Sequence, residues 1–197
     1  MSAQGVNKTR RRVLVAATSV VGAVGAGFAL VPFIGSMNPS AKARAAGAPV
    51  EADISQLEPG AILRLKWRGK PVWVVSRTPE MLEALPTLDA QLVDPGSLVP
   101  QQPEYCTNAT RAIKEEFFVV IGICTHLGCS PTFRPEFAPD DLGGQWRGGF
   151  FCPCHGSRFD LAGRVFKGVP APTNLVIPVH TYINDTTILV GEDRGAA

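Results

Sequence analysis

Four of the five cysteines and two of the three histidines in this 197-residue chain fall in two six-residue segments. These are Cys124-Thr125-His126-Leu127-Gly128-Cys129 and Cys152-Pro153-Cys154-His155-Gly156-Ser157. Each segment holds one cysteine and one histidine placed to ligate, with one cysteine to spare. The ligating set is then Cys124, His126, Cys152 and His155. Two thiolates and two neutral imidazoles suit a metal centre with sulfur on one side and nitrogen on the other, and iron accepts both donors. Replacing two anionic thiolates by imidazoles on one iron of a [2Fe–2S] cluster makes the centre less negative, so it takes up an electron more readily. Structural zinc accepts the same four donors, but it leaves Cys129 and Cys154 without a role. Those two cysteines are placed either to cross-link the loops or to remain as free buried thiols. Outside the cytoplasm such a cross-link persists.

Loops that carry such chemistry need a rigid platform, and the second half of the chain is patterned for one. Residues 62–67 alternate apolar and polar, Arg68, Gly69 and Lys70 form a turn, and residues 72–75 return as a second strand. Thr78-Pro79-Glu80 predicts a short helix to about Leu85, with a Thr cap and Pro at its first position. A proline-rich loop follows to about Arg111. The apolar run 117–123 predicts a buried strand that delivers Cys124, and residues 146–151 deliver Cys152. Residues 175–177 and 187–190 flank the turn-former Asn184-Asp185 as closing strands. Cys106 reads as an incidental core or loop thiol, and His180 as a surface or edge histidine. No internal repeat is present. The reading is a small all-β head.

The first fifty residues have a different character. No charge occurs between Val13 and Ala41, and residues 13–34 are mostly Val, Ala, Gly and Leu, enough for the roughly 20 residues of a membrane span. A buried core helix of that length would need a polar face, which is missing. Lys8, Arg10, Arg11 and Arg12 precede the run and predict a cytoplasmic N-terminus with the rest of the chain outside. Residues 9–14 also resemble a twin-arginine export signal. Ala41-Lys42-Ala43 has the form of a cleavage site, but the apolar run is longer than a cleaved signal needs, which favours a retained anchor. Residues 35–50 are small and read as a hinge. The net charge of +2 excludes the global basic field of a nucleic-acid binder.

With both Cys/His segments, the anchor, the Ala/Gly-rich linker and the later Gly168-Val169-Pro170-Ala171-Pro172 stretch, the chain resembles the Rieske iron–sulfur subunits of proteobacterial cytochrome bc1 complexes. The resemblance covers essentially the whole chain. It implies a Rieske-type antiparallel β-sandwich with a small cluster-binding subdomain, carried on a single N-terminal transmembrane helix. The implied parts are residues 1–12 (cytoplasmic basic segment), 13–34 (anchor), 35–50 (hinge) and 51–197 (head), with cluster binding in about 122–172. One Rieske [2Fe–2S] cluster per subunit would be held by Cys124 and Cys152 on one iron and His126 and His155 on the other. Cys129 would pair with Cys154, and Gly168, Pro170 and Pro172 would belong to a proline loop over the cluster.

The resemblance also implies that Ser157 donates its hydroxyl to a bridging sulfide, raising the potential. Many members carry a tyrosine where this chain has Phe159, and the missing hydroxyl implies a lower potential here. His155, with His126 beside it, would meet ubiquinol, while Leu127 and Gly128 would form a docking surface. Implied partners are cytochrome b, cytochrome c1, ubiquinol and membrane lipid, in a dimeric complex of the bacterial inner membrane with the head in the periplasm; no nucleic acid is involved. The function implied is electron transfer in a quinol–cytochrome c reductase, contributing to proton-motive force. Competing expectations are the Rieske subunit of another periplasmic oxidoreductase, of arsenite oxidase or cytochrome b6f type, and a non-redox zinc or disulfide interaction module.

Overall fold

The computed structural model describes Gly5 and residues 7–193. The chain divides into two compact units, Met1–Ala45 and Ala46–Ala197.

The first unit is dominated by helix α1, Lys8–Ser36. Its exposed N–H groups at Thr9 and Arg10 donate to the Asn7 side chain, both at 3.1 Å, a capping arrangement that starts the helix. Twenty-nine residues rise about 44 Å, and none of their side chains is buried. An apolar helix with no protein against it matches the length and composition of a membrane span, not of a core helix. Lys8, Arg10, Arg11 and Arg12 form its first turns instead of preceding it. Helix α2, Ala41–Ala46, occupies part of the stretch read as a hinge. Ser40 Oγ accepts from the Ala43 N–H at 3.1 Å at its start.

The second unit holds three three-stranded antiparallel sheets. In chain order the strands are β1 (Val50–Asp53), β2 (Ile62–Trp67), β3 (Lys70–Ser76), β4 (Phe117–Ile121), β5 (Thr132–Phe137), β6 (Arg147–Cys152), β7 (Ser157–Phe159), β8 (His180–Asn184) and β9 (Thr187–Val190). The sheets run β1-β9-β8, β2-β3-β4 and β5-β6-β7. Strands β3 and β4 of the middle sheet are buried on both faces. Val72, Val74, Val119 and Ile121, with Trp67 of β2, pack against Ala52, Ile188 and Val190 of the first sheet. Trp73, Val75, Phe118 and Val120 face Phe150 and Phe159 of the third. A strand covered on two sides must be apolar at every position, which explains the unbroken apolar runs of β3 and β4.

The β2–β3 hairpin closes through Arg68 and Gly69, both with positive φ, as a two-residue turn. Helix α3, Pro79–Ala84, is capped by Thr78, whose hydroxyl accepts from the Met81 N–H. The proline-rich loop contains 3-10 turns at Leu85–Gln91 and Glu104–Cys106. Residues 175–177 are not a strand. Leu175 N–H donates to Gly163, Ile177 N–H to Gln101, and Val176 carbonyl accepts from Ile121, each at 2.8 Å. Three partners in three different segments cannot make a ladder, so the closing hairpin is β8–β9.

His180 is buried, only 2% exposed, against the expectation of a surface or edge residue. Its Nδ1 lies 2.9 Å from the Pro178 carbonyl, and Tyr105 packs edge-on against its ring. Tyr105 also binds the His180 backbone twice, donating to its carbonyl and accepting from its N–H. Cys106 is a core thiol.

Burial pushes the His180 imidazole below its ordinary value of 6.5. The unfolded chain takes up a proton near 6.5 and the folded chain resists it, so stability present above that value is lost as pH falls through it. Thermal melts of the detergent-solubilised chain between pH 7 and 5 are expected to fall more steeply than those of His180→Gln. Parallel pH slopes for the two proteins would contradict this assignment.

Candidate metal centre

Both Cys/His segments leave strands of the buried core. After β4 the chain passes Gly122, where a Cβ would fall inside the Trp73 indole. It then makes a tight loop, with Cys124 N–H donating to the Cys129 carbonyl at 2.8 Å and Gly128 N–H to the Cys124 carbonyl at 3.1 Å. The second loop turns from β6 into β7, with Gly156 N–H donating to the Cys152 carbonyl at 2.9 Å and Cys152 opposite Ser157 in the ladder. A Cβ at Gly149 of β6 would collide with the Phe159 carbonyl, so glycine is what lets β7 lie this close.

A disulfide joins Cys129 to Cys154, with Cα atoms 6.7 Å apart across a sequence separation of 25. It ties the two loops to each other. Cys124 and Cys152 are free and each only 2% exposed. Burial, the largest effect, raises the Cys152 thiol; the Cys154 N–H opposes it, while the adjacent Cys124 side chain adds to the rise. Two adjoining thiols in an apolar core are costly to ionise, and a bound metal would supply the charge that stabilises them as thiolates. The sulfurs of Cys129, Cys152 and Cys154 lie within 4.8 Å of one another. Two of the three are spent in the disulfide, so that grouping reflects the bridge beside Cys152 and not a thiolate site.

The His126 and His155 rings stand edge-on, centroids 4.8 Å apart and planes at 89°. His155 is exposed. His126 is half-buried, and its Nδ1 is buried with no hydrogen-bond partner. A buried polar atom without a partner is costly, and a metal ligated there removes the cost. Two buried thiols, one orphaned imidazole nitrogen and a second imidazole beside it fit a centre with sulfur inward and nitrogen outward.

Ser157 is fully buried; its Oγ accepts from the Ala171 N–H at 3.1 Å, which leaves its own hydrogen free to donate. Residues 168–172 therefore contact the second loop through Ala171, while Gly168, Pro170 and Pro172 are exposed. Thr125, passed over in the sequence, donates its hydroxyl to the Thr173 carbonyl at 2.7 Å and ties the first loop to the end of that segment. Its position between Cys124 and His126 was the available signal. Leu127 is 72% exposed and Gly128 is exposed beside it. Phe159 is fully buried in the core that includes Cys124 and Cys152.

Residues 49–182 match the family model described as the Rieske [2Fe-2S] domain, which spans both loops. The chain belongs to the Rieske iron–sulfur family. Residues 1–40 match a second model, described as "Ubiquitinol-cytochrome C reductase Fe-S subunit TAT signal". This Rieske protein is 80% identical over 197 residues to the ubiquinol-cytochrome c reductase iron-sulfur subunit of Allochromatium vinosum, covering all of this chain and 95% of that one. It is 42% identical to the subunits of the same name from Blastochloris viridis and Rhodospirillum rubrum, covering 96% of this chain and 97% and 96% of theirs. A solved structure described as a hyperthermophilic respiratory complex III covers 90% of this chain, and 98% of its own, at 25% identity and TM-score 0.49. The cofactor of this Rieske protein is a [2Fe–2S] cluster, and the donors gathered here suit it.

The disulfide closes a loop long enough to contribute about 3 kcal/mol. Paired Cys129→Ser and Cys154→Ser substitutions are expected to lower the denaturant midpoint accordingly. They should also speed loss of bound iron during dialysis; unchanged values for both would refute a structural role for the bridge.

Proposed function

We propose that this chain is the electron-transfer subunit of a membrane-bound quinol–cytochrome c oxidoreductase, working beside cytochrome b and cytochrome c1 subunits in a dimeric complex. The observations that carry the reading are the two adjoining buried free thiols and an edge-on imidazole pair that follows them by two and three residues in the chain, with His126 Nδ1 orphaned and His155 exposed. The 80% identity to a ubiquinol-cytochrome c reductase iron-sulfur subunit supports the assignment to that type of complex.

Cys124 and Cys152 would hold one iron as thiolates, and His126 and His155 would hold the other. The bound [2Fe–2S] cluster supplies a one-electron acceptor with a potential raised by its two neutral ligands. Quinol oxidation releases protons with its electrons, so the site needs a base near the substrate. His155, exposed and near the disulfide, accepts a hydrogen bond from the quinol hydroxyl and takes its proton at the ring nitrogen away from the metal, with His126 alongside. Leu127 and Gly128 form the apolar apex that docks on partner subunits. Residues 168–172 and the disulfide keep water from the sulfur side.

Helix α1 anchors the chain in the inner membrane, and the hinge at residues 35–50 lets the head move between partners. Lys8, Arg10, Arg11 and Arg12 favour a cytoplasmic N-terminus. A periplasmic head agrees with the disulfide, which oxidising compartments preserve.

Iron and acid-labile sulfide analysis together with EPR of the ascorbate-reduced protein tests the reading. Expected are iron and sulfide in equal amounts and a Rieske-type signal, with b- and c-type cytochromes co-purifying. Zinc with no signal would overturn it. The Phe159→Tyr variant is expected to titrate at a higher potential, because the added hydroxyl can donate to a ligand sulfur; an unchanged potential would dismiss that cause for a low value.

A further inference from the structure

Three arginines lie inside the head: Arg77, Arg111 and Arg164 are 3%, 0% and 1% exposed. Arg164 is matched, since its Nε donates to Asp160 at 2.7 Å and its Nη1 to Asp89 at 2.8 Å. Asp160 is the one fully buried carboxylate among the described residues. It is committed to Arg164 and to the N–H groups of Ala162 and Arg164.

Arg77 and Arg111 donate to neutral acceptors instead. Arg77 binds the carbonyls of Glu115, Thr110 and Leu161. Arg111 binds those of Ala162, Gly163 and Leu175, together with the Gln102 amide oxygen. Arg77 Nη2 and Arg111 Nε are buried with no partner. Burial pulls both guanidinium groups down to about 10, so both remain cations at neutral pH. No carboxylate among the described residues bonds either group. Asp160 acts on both through its charge alone, helped by Glu115 at Arg77 and Asp94 at Arg111, so the buried charge is balanced only in part. Such partial balance is expensive, and carbonyl clamping by a neutral donor would avoid the expense.

The two cations face the core that carries the ligand thiols. Arg77 sits 5.2 Å from the Phe118 ring centroid, and Phe118 lies 6.2 Å from Phe150. Phe118, Phe150, Cys124 and Cys152 share one core. Cys106 belongs to it as well; burial pushes its thiol up to about 11, while the Arg111 and Arg77 charges pull it back. The field of both guanidiniums therefore reaches Cys106, which shares this core with the ligand thiols.

We propose that Arg77 and Arg111 are redox-tuning residues, whose buried charges, bonded to no carboxylate, stabilise the added electron at the centre held by Cys124, His126, Cys152 and His155. The inference rests on that ligand assignment. One-electron reduction adds one negative charge to the centre, and a fixed cation in a poorly screened interior favours the reduced form. A unit charge at about 10–15 Å through an effective dielectric of about 20 changes the reduced-to-oxidised ratio by about tenfold. For one electron that factor is about 59 mV.

The test is potentiometric titration of the cluster-loaded full chain, followed by EPR, for Arg77→Met, Arg111→Met, Arg77→Lys and Asp160→Asn. Each Met variant is expected to shift the ratio about tenfold toward the oxidised form, and the shift should persist in high salt because the groups are buried. Arg77→Lys should stay near the parent value, and Asp160→Asn should shift the opposite way. Loss of packing alone would not reverse sign between removing a cation and removing an anion. Met variants with an intact Rieske-type signal and an unmoved potential would overturn the proposal, as would shifts of one sign throughout. If Arg77→Met does not fold, Arg111→Met against Asp160→Asn makes the same comparison. Absence of the signal in the unsubstituted chain overturns the ligand assignment instead.

Discussion

Two thiols from segments 28 residues apart must adjoin in an apolar interior while the imidazole of each segment, edge-on to the other, lies nearer the solvent. That constraint governs the rest of the head. Neither loop has enough apolar surface to hold a shape alone. Each is anchored at a strand of the core: the first follows the doubly covered strand β4 of the middle sheet, and the second is the β6–β7 turn. The Cys129–Cys154 bridge supplies a covalent tie that neither sheet provides. Contacts from Thr125 and Ser157 to residues 171–173 add a third support from a segment with no ladder of its own.

The same economy explains the arginines. The stretch from Leu161 to Gly163 turns sharply after β7, with carbonyls that no strand accepts into a ladder. Buried guanidinium groups satisfy them, because a planar cation with five donors can serve several carbonyls at once. Asp160 answers only part of the resulting charge. Arg77 borders the core that also holds the ligand thiols, through Phe118 and Phe150, which is why a structural solution for an irregular turn is proposed to have an electrostatic consequence at the redox site.

Much of this was legible in the chain. The spacing of Cys124, His126, Cys152 and His155 stated a donor set, because metal chemistry depends on residue type within a few positions. Alternation in β2, the Arg68-Gly69 turn and the Thr78 cap were local signals, and the structure has the corresponding hairpin and short helix. Residues 175–177 read as a strand because they are apolar and β-branched, yet their hydrogen bonds go to three separate segments. His180 read as a surface or edge residue because it lies in a strand-like run far from either Cys/His segment. Its burial depends on Tyr105, 75 positions away. Arg77 and Arg111 gave no sign at all, since a charged residue in a loop looks solvated until the fold closes over it.

The sequence alone determined the kind of centre, the apolar span ahead of the head and the β2–β3 hairpin, since each depends on residue types at short separation. Tertiary structure decided which cysteines are free and which are bridged, which histidine is buried and which is open to solvent, and where the buried charges lie. Those outcomes depend on contacts between residues tens of positions apart. Local patterning carries no record of which distant group will exclude water from a given atom.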